Sequence, residues 1–558
     1  MKKIISISLV TAVSLMAASP TTGDILKQVK PIKVEKVEKV LPTIDDSEYK
    51  EPLLVDDTAK ILVKSFVFSG NTVFSSDVLS KLVESSTNKE LGINGIKVVA
   101  SLVTKYYRDN GYFVARAYIP KQNIENGEVE IAIIEGVYGD TNFDNSSLVN
   151  TENIQGYMNY LKSGQVISTS TLERQMLVIN DLTGVKITNV EVMPGGKIGT
   201  SDFKLSVGST PKYTGYAVLD NYGSVYTGKS RLSLGTTINS VSGIGDSIDI
   251  NGMISNTQNL KNIRVGYNRP IGYDGLNAGI SYSKTNYEID KIPSYTSYGT
   301  TDTINTFVSY PIIKTKTHTL NTTLSFEHRA MKDTSGATSS EEESKKNIDA
   351  LTLTLNDLRN TNIGTLPGFL NISAGITYGN VDLKNELART QDQLLESEGG
   401  YSKVTLNLEH TQYLIENLNL KSTFKGQKSI NKNLDSSEDI SLAGSNGVRA
   451  YEDSELSGDK GYGVSFDFIY TLPKIEKLSH NVSLFIDHAR AWTNENTFNT
   501  DDNTRTINAV GIGYGLSYDM FNLKASFARG FGSDSTPTSE AEFSTSKNKF
   551  LVQGMMQF

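Results

Sequence analysis

Residues 210–558 carry the pattern that most restricts the possible folds: apolar and polar side chains alternate in long runs. Leu232 and Leu234, for example, alternate with Ser233 and Gly235. A period of two places successive side chains on opposite faces of an extended strand. The runs last about 9–12 residues, the length that a tilted strand needs to cross a bilayer, whereas strands of globular sheets average about 5–6 residues. The pattern therefore predicts a transmembrane β-barrel.

Sixteen such runs can be counted, and we expect each to form one strand of an antiparallel barrel. An even number of strands brings both ends of the barrel region to the same side of the membrane, the side on which the preceding residues lie. The predicted strands are 213–221, 229–239, 246–255, 260–269, 275–284, 302–311, 317–328, 349–358, 369–380, 401–411, 416–427, 461–472, 480–490, 507–518, 520–530 and 545–558.

The connections between these strands fall into two groups. Those after even-numbered strands are mostly short, for example residues 311–316. Several after odd-numbered strands are long, namely residues 289–301, 329–348, 382–401 and 429–462. Because short periplasmic turns and long outer loops are typical of outer-membrane barrels, this sorting supports the barrel and predicts its orientation.

The composition of the chain excludes several other classes of protein. The 558 residues include no cysteine, which excludes disulfides and thiolate metal sites. After the first twenty residues, no apolar run approaches the roughly 20 residues of a membrane-spanning helix. A net charge of −8 gives no reason to expect a nucleic-acid partner.

The amino terminus indicates export. Two lysines precede an apolar stretch, residues 4–18, and small residues follow, so residues 1–19 are predicted to be a signal peptide. Residues 20–60 are predicted to be an N-terminal helix and a flexible linker. Within them, residues 24–29 can form one or two helical turns. Residues 33–40 are polar, repetitive and poor in apolar side chains, with a marginal strand as the alternative.

Between the linker and the barrel, the pattern predicts two small modules of the same order, β-α-α-β-β, at residues 61–136 and 137–209. The first has predicted strands 61–68, 113–119 and 128–134 and helices 75–84 and 94–109. The second has predicted strands 137–143, 185–192 and 202–207 and helices 151–161 and 170–182. We expect an antiparallel sheet in each, whose free edge can pair with an extended peptide. The alternative is that the modules are only spacers.

The last predicted strand ends on an aromatic residue. Phe550, Val552, Met556 and the terminal Phe558 occupy alternate positions. We expect these four residues to lie on one face of the strand and to form the carboxyl-terminal signal by which the barrel is recognised during its assembly. The barrel assembly machinery and periplasmic chaperones are therefore expected partners during biogenesis, together with outer-membrane lipid.

Three runs of residues are similar to those of the two-partner secretion transporters, the ShlB/FhaC/HecB family of haemolysin secretion/activation proteins. They are residues 177–185 (LVINDLTGV), residues 193–196 (MPGG) with Ser201 and Asp202, and residues 219–228 (LDNYGSVYTG). The resemblance implies that the modules are POTRA domains, which capture a large, unfolded exported partner in the periplasm. It also implies that the sixteen-stranded barrel conducts that partner outward without ATP, and that residues 24–29 correspond in position to a helix that plugs the barrel in some members.

Two further motifs resemble those of the family. Val448, Arg449, Ala450 and Tyr451 are similar to its Val-Arg-Gly-Tyr loop tip, which implies that a long loop, residues 428–460, folds back into the lumen. Phe485 and Asp487 match its Phe-x-Asp motif, and the alternation independently places both inward. The resemblance implies that Arg449 reaches Asp487. Ala450 departs from the family glycine, and alanine there would cost roughly 1 kcal/mol if the position required a positive φ.

Enzymatic and cofactor functions are poorly supported by the sequence. The five histidines are scattered without metal-ligand spacing, and no nucleophile elbow occurs, so we expect no catalytic residue, no cofactor and no metal. A protein-export channel in the outer membrane is the leading prediction. An assembly factor of the same superfamily, which inserts other barrels, is the alternative, although such factors usually carry more modules. A passive porin would leave residues 61–208 unexplained.

Overall fold

A computed structural model describes residues 22–29, 41–42, 59–161, 164–289, 295–337, 340–453, 455–498, 502–535 and 546–558. The predicted signal peptide and the repetitive stretch 33–40 lie outside these ranges. The first element is a short helix, α1 (Thr22–Leu26), which begins two residues before the predicted start. Within the described ranges, no helix is long and apolar enough to cross a membrane.

The first module packs two helices on a small sheet. Its elements are β1 (Lys60–Val63), β2 (Ser65–Ser69), α2 (Ser76–Val83), β3 (Lys89–Gly92), α3 (Ile93–Asp109), β4 (Arg116–Tyr118) and β5 (Glu128–Ile134). Helix α3 buries Ile96, Val99, Val103 and Tyr107, which recur at helical spacing and therefore form one apolar face. The Tyr107 hydroxyl donates to the buried Glu135 carboxylate (2.8 Å). Burial, reinforced by that hydrogen bond, raises the pKa of Tyr107.

Two predictions for this module are wrong. The predicted strand 61–68 is interrupted at Lys64, and its halves have different partners: β1 pairs with β3, which the pattern did not predict, and β2 pairs with β5. The sheet has the order β2-β5-β4, with β2 and β5 parallel and β4 and β5 antiparallel. The helices between β2 and β5 form a crossover that returns the chain in the same direction, which permits a parallel pair.

The second module repeats the arrangement. Its elements are β6 (Val137–Asn145), α4 (Thr151–Asn159), α5 (Thr169–Asp181), β7 (Lys186–Pro194) and β8 (Thr200–Gly208). The sheet order is β6-β8-β7, again with one parallel pair, β6 and β8, and one antiparallel pair, β7 and β8. The predicted antiparallel sheet is wrong here for the same reason. Among the residues that the structure describes, the outer strands of the sheet in both modules have one strand partner each, so edges are available.

The barrel is closed and antiparallel, and its sixteen strands confirm the predicted number. The strands are β9 (Tyr213–Asp220), β10 (Arg231–Asn239), β11 (Ser247–Ser255), β12 (Leu260–Ile271), β13 (Leu276–Ile289), β14 (Tyr295–Lys314), β15 (His318–Ala337), β16 (Ser340–Ile363), β17 (Leu366–Leu383), β18 (Gly399–Ile415), β19 (Leu418–Ser429), β22 (Lys460–Thr471), β23 (Leu478–Trp492), β24 (Thr504–Tyr518), β25 (Phe521–Phe531) and β26 (Asn548–Gln557). Helix α6 (Glu386–Asp392) and the short strands β20 (Ile440–Ser441) and β21 (Ser457–Gly458) lie in the connections.

The apolar members of the alternation face outward. Leu234, Leu324 and Leu484 are each about half exposed, as expected for side chains that contact lipid. The polar members face the lumen.

Some of the predicted loops are strand instead. Residues 329–337 and 340–348, which fall in the predicted loop 329–348, pair with each other as extensions of β15 and β16. Residues 295–301 likewise extend β14. The lipid-facing alternation ends at the membrane boundary, but the backbone hydrogen bonds continue above it because each strand still has a neighbour.

The barrel closes between its first and last strands through a short pairing. Strands β9 and β26 pair over five residue positions, from Gln553 opposite Asp220 to Gln557 opposite Tyr216. Asn221, just beyond β9, extends this seam: its side chain accepts from Val552 N (2.8 Å) and donates to Phe550 O (2.8 Å). All other neighbouring pairs in the described barrel span more positions, so the seam is the shortest junction of the wall.

The second module is fixed to the periplasmic rim of the barrel. Arg174 on α5 donates to Pro311 O (3.0 Å) near the periplasmic end of β14 and to Asp274 Oδ1 (3.1 Å) in the turn between β12 and β13. The rings of Tyr157 and Tyr273 meet edge to face at 5.1 Å. Thr183 donates to Asp246 O in the turn between β10 and β11 (2.7 Å). Two turns and one strand end therefore position this module beside the lumen entrance.

Candidate functional site

The lumen is occupied by the connection between β19 and β22, residues 430–459, which we call the inward loop. Its tip is buried: Val448 and Tyr451 are 1% exposed and Ala450 is 3% exposed. These side chains share an apolar cluster with Phe485 and with small or apolar residues of the inner wall. That wall is formed by Ala489, Ala491, Ile507, Ala509 and Ala528.

Glycines of the wall leave space for two aromatic rings, that of Tyr451 in the loop tip and that of Phe485 on β23. A Cβ on Gly530 would stand 2.6 Å from the Tyr451 hydroxyl, and a Cβ on Gly511 would stand 2.3 Å from the Phe485 ring. Both distances are shorter than real side-chain contacts. The barrel wall is therefore shaped to accept the aromatic rings of Tyr451 and Phe485.

Arg449 is the centre of a dense polar cluster. Its Nη2 and Nε donate to the two carboxylate oxygens of Asp487 (2.6 and 2.9 Å), and its backbone N–H donates to the same carboxylate (3.1 Å). The guanidinium carbon lies 3.4 Å from the centroid of the Phe485 ring. The structure thus brings together Arg449, Phe485 and Asp487, in a bidentate geometry of the strong kind.

A second carboxylate, which the sequence reasoning missed, completes the cluster. Asp467 on β22 accepts from Arg449 Nη1 (2.7 Å) and Nη2 (3.2 Å), and Ser465 accepts from Nη2 (2.9 Å). The sequence contained a signal: Phe466 and Phe468 face lipid, so Ser465 and Asp467 must face the lumen on the strand next to Asp487. The register places Ser465 opposite Asp487.

Ala450 does not carry the conformational cost considered above. The described non-glycine residues with positive φ do not include it. Its methyl group is buried in the apolar cluster of the tip. Alanine at this position therefore adds apolar contact without left-handed backbone strain.

The rest of the inward loop is acidic and meets a basic wall. Asp435 pairs with Lys346 (2.5 Å), Glu438 with Arg329 and with Lys403 (2.8 Å), Glu455 with Arg505 (2.6 Å) and Glu452 with Lys549 (3.6 Å). These cations lie on β15, β16, β18, β24 and β26. Among the described pairs between this loop and the wall, the charges are reversed at Arg449, where the loop is basic and the wall acidic. The loop is therefore held around the circumference of the barrel.

Helix α1 also lies inside the barrel, against the inward loop and β13 to β15. Ile25 is fully buried in a cluster with Tyr226, Leu260, Tyr287 and Ile289. Lys27 pairs with Asp439 of the inward loop (3.6 Å). Arg231 donates to the carbonyl oxygen of Gln28 (2.8 Å). Two segments that are not part of the wall therefore fill the lumen.

The four carboxyl-terminal residues singled out from the sequence lie on β26 and on the residue after it. Phe550 and Phe558 are more than half exposed, and Val552 and Met556 are partly exposed between them. Phe558 is also tied to the first strand, because its backbone exchanges hydrogen bonds with Gly215 (2.7 and 3.0 Å). The four side chains of Phe550, Val552, Met556 and Phe558 form one outward-facing row at the seam.

The described residues contain no group of three metal-ligating side chains that could hold a metal ion. The histidines lie apart, and their recorded partners are residues such as Asp357 for His318 and Asn508 for His488. The buried charges of the lumen are instead engaged in pairs between loop and wall. The arrangement can hold or release segments of polypeptide, and we assign no bond-making chemistry to it.

These features define an outer-membrane β-barrel whose lumen is closed by its own segments and whose entrance is flanked by periplasmic modules. Residues 199–518 match the family model described as haemolysin secretion/activation protein ShlB/FhaC/HecB. Residues 61–136 match the POTRA domain of ShlB type. The chain belongs to the ShlB/FhaC/HecB family, and it is an outer-membrane transporter with periplasmic amino-terminal domains.

Individual proteins agree with this assignment. The chain is 24% identical over 523 residues to the heme/hemopexin transporter protein HuxB of Haemophilus influenzae strain 86-028NP, covering 92% of this chain and 91% of HuxB. The structure of CdiB from Escherichia coli superposes with a TM-score of 0.73 at 18% identity, covering 92% of this chain and 93% of CdiB. BamA from Haemophilus ducreyi lacking POTRA domains 1–3 gives a TM-score of 0.51 at 15% identity, covering 90% of this chain and 100% of that one. The two structures show likeness of fold alone, and the family match favours export over the assembly of other barrels.

Proposed function

We propose that this transporter captures a large, unfolded exported protein with its periplasmic modules and passes it outward through the barrel after α1 and the inward loop leave the lumen. One observation carries the proposal: both segments fill the lumen without contributing a strand to the closed wall. The wall can therefore stay closed while the passage opens.

The edges of the two module sheets support capture of an extended chain. In the first module, β5 is the one strand partner of β2 within the described ranges, and the alternate residues Ser65 and Val67 of β2 are exposed. An extended peptide can add to such an edge through backbone hydrogen bonds, which do not depend on side-chain identity. A haemolysin-, haemagglutinin- or adhesin-like partner of repetitive sequence fits this mode.

The second module supports delivery of the captured chain to the lumen. Arg174 and Tyr157 fix this module to the periplasmic rim of the barrel, so a strand bound at its edge is held close to the entrance. No nucleotide is needed for this step, because the chain moves outward as an unfolded polymer and folds outside.

The Arg449 cluster supports a role for the loop tip as a gate. Removing one partner of a desolvated ion pair costs about 3–5 kcal/mol, whereas a solvated pair contributes about 0–1 kcal/mol. Asp487 is 1% exposed, which places the pair near the desolvated limit. The tip is thus stable when docked, and its release must be coupled to the arrival of the partner.

The exposed row Phe550, Val552, Met556 and Phe558 supports recognition of the last strand by the barrel assembly machinery. The row lies at the seam, where β26 must be presented before it joins β9. Periplasmic chaperones would hold the same apolar residues before insertion.

The proposal is tested by comparing secretion from cells that express the full-length transporter with secretion from cells that express a variant without residues 61–208. The cargo is the candidate partner encoded in a neighbouring reading frame, and insertion of the barrel is measured in parallel by its heat-modifiable migration. We expect the deletion to abolish secretion while the inserted barrel still forms a pore. Unchanged secretion would contradict capture by the modules. Loss of other outer-membrane barrels from the deletion strain, with secretion retained, would favour the assembly-factor function.

A further inference from the structure

The outer surface of the barrel carries lysine and arginine side chains at its extracellular end. On one side of the barrel, these cations pair with carboxylates. On β13 to β17 and directly after them, Lys284 pairs with Asp302 (3.5 Å), Lys332 and Lys345 pair with Glu343, and Lys384 pairs with Asp382. These side chains alternate with lumen residues and therefore face outward. This sector presents little net charge to the membrane.

The opposite sector differs. Lys428, Lys460, Arg490 and Arg529 lie on β19, β22, β23 and β25 and alternate with buried lumen residues, so they face outward. Among the described residues, Lys428, Arg490 and Arg529 have no carboxylate within salt-bridge distance. Lys460 pairs with Glu495 (3.0 Å), and Arg490 interacts with Asp502 only at longer range. We call these four residues the outward basic patch.

Two aromatic residues are part of the same surface. The register places Tyr462 opposite Arg490 and Lys460 opposite Trp492. The Arg490 guanidinium carbon lies 4.9 Å from the centroid of Trp492, and Lys460 Nζ lies 5.8 Å from it. Cations held over aromatic faces, with tyrosine and tryptophan at the edge of an apolar belt, mark the headgroup level of a membrane.

The apolar belt begins directly below Arg490, and Arg529 lies at the upper edge of this belt, in register with Ile486 through Val510. Ile486 and Phe466 are each more than 40% exposed on the lipid-facing side. Arg490 is four residues beyond Ile486 on the same strand, about 13 Å at roughly 3.3 Å per residue. The guanidinium therefore lies above the acyl chains, at the depth of lipid phosphates in the outer leaflet.

We propose that the outward basic patch binds the phosphate groups of an anionic glycolipid of the outer leaflet, the lipid A portion of lipopolysaccharide. Guanidinium groups match phosphate oxygens in a fork, and lysines add point charge. The surface below the patch is apolar and continuous with it, so the acyl chains of the same molecule lie along Ile486 and Phe466. This continuity favours a lipid over a free phosphate ion.

Trp492 is the sole tryptophan of the chain, so its fluorescence reports binding at the patch. The full-length protein in zwitterionic detergent is titrated with lipid A, with dephosphorylated lipid A and with inorganic phosphate. We expect lipid A to bind at least tenfold more tightly than its dephosphorylated form, and inorganic phosphate to leave the emission unchanged. Equal binding of the two lipid forms would overturn the proposal, and saturation by phosphate alone would assign the patch to a soluble anion instead.

A pair of triple variants provides the matched comparison. One neutralises Lys428, Arg490 and Arg529 to glutamine, and the other neutralises Lys284, Lys332 and Lys384, which removes the same charge from the paired sector. Retained lipid A is measured by native mass spectrometry, which does not depend on Trp492. We expect at least tenfold weaker retention in the first variant and wild-type retention in the second. Equal retention in both variants would refute the site, and the K428Q/R529Q pair provides a second test if the triple variant fails to insert.

Discussion

Arg231 donates a hydrogen bond from Nη1 to the carbonyl oxygen of Gln28 (2.8 Å), and this bond joins the first hairpin of the barrel to the turn directly after α1. Asp220 holds the same guanidinium through Nε (2.8 Å) and Nη2 (3.3 Å). Because Asp220 also belongs to the seam strand β9, the turn after α1 and the shortest junction of the wall share one contact.

We therefore expect Arg231→Gln to release α1. The chain has no cysteine, so Ile25→Cys provides a single thiol at a fully buried position of the helix. In the Arg231→Gln background, maleimide should label this thiol at least tenfold faster, and conductance in planar bilayers should rise several-fold. Arg264→Gln is the matched control, because Arg264 donates to Ser281 Oγ (3.1 Å). Equal labelling in all three proteins would show that Arg231 does not retain the helix.

The two carboxylates around Arg449 should act together. Asp487→Asn and Asp467→Asn each leave one anionic partner, so we expect partial loss of secretion from either change and near-complete loss from both. Protease sensitivity of the inward loop measures the docked fraction and should rise in the same order. The exchange Arg449→Asp with Asp487→Arg should restore secretion only in part, because the new aspartate faces Asp467. Wild-type secretion by the double asparagine variant would leave the cluster without a role in export.

Gly530 is the most specific test of tip packing. A Cβ there meets the Tyr451 hydroxyl at 2.6 Å, whereas a Cβ on Gly554 meets no atom within 4 Å. We expect Gly530→Ala to displace Tyr451 and to increase basal conductance, with Gly554→Ala indistinguishable from wild type. Thermal unfolding of the barrel, followed by migration on gels, provides the control for insertion. Similar conductance in both alanine variants would mean that the tip tolerates the added methyl group.

The junction between the second module and the barrel should weaken at high pH. Burial, with a smaller effect of Tyr273, raises the pKa of Tyr157 to about 12, above its value of about 10 in the unfolded chain. The neutral Tyr157 side chain therefore makes its full contribution to the free energy of unfolding below pH 10. This contribution is lost as the pH rises through 12, by up to about 3 kcal/mol at about 1.4 kcal/mol per pKa unit. Tyr157→Phe should flatten this part of the stability curve. A curve of the same slope in wild type and variant would contradict the assignment.

Much of the barrel could be predicted from the sequence because two independent signals mark each strand. One is the alternation of apolar and polar residues along it, and the other is the turn that ends it. The periodicity locates β10 within two residues and also places Phe485 and Asp487 inward. The contact between Arg449 and Asp487 could be predicted only from the resemblance to the family, because no local pattern indicates where a loop of thirty residues will dock.

Other features depend on contacts distant in the sequence. The break at Lys64 follows from the separate partners of β1 and β2, and neither partner is visible in residues 61–68. The pairing of Glu438 with Lys403 and Arg329 needs the fold before it can be recognised. Asp467 is an intermediate case, because its inward position was predictable and its partner was not.

The long strands of one side determine where an exported chain meets its surroundings. Strand β16 has 24 residues, whereas crossing the bilayer takes about 9–11. Residues 340–348 of this strand continue above the predicted membrane-spanning part, and these nine residues, at about 3.3 Å each, raise that part of the rim roughly 30 Å along the strand. An exported polypeptide that leaves the lumen is therefore sheltered on this side by the raised wall, and it first reaches the medium on the lower side of the mouth.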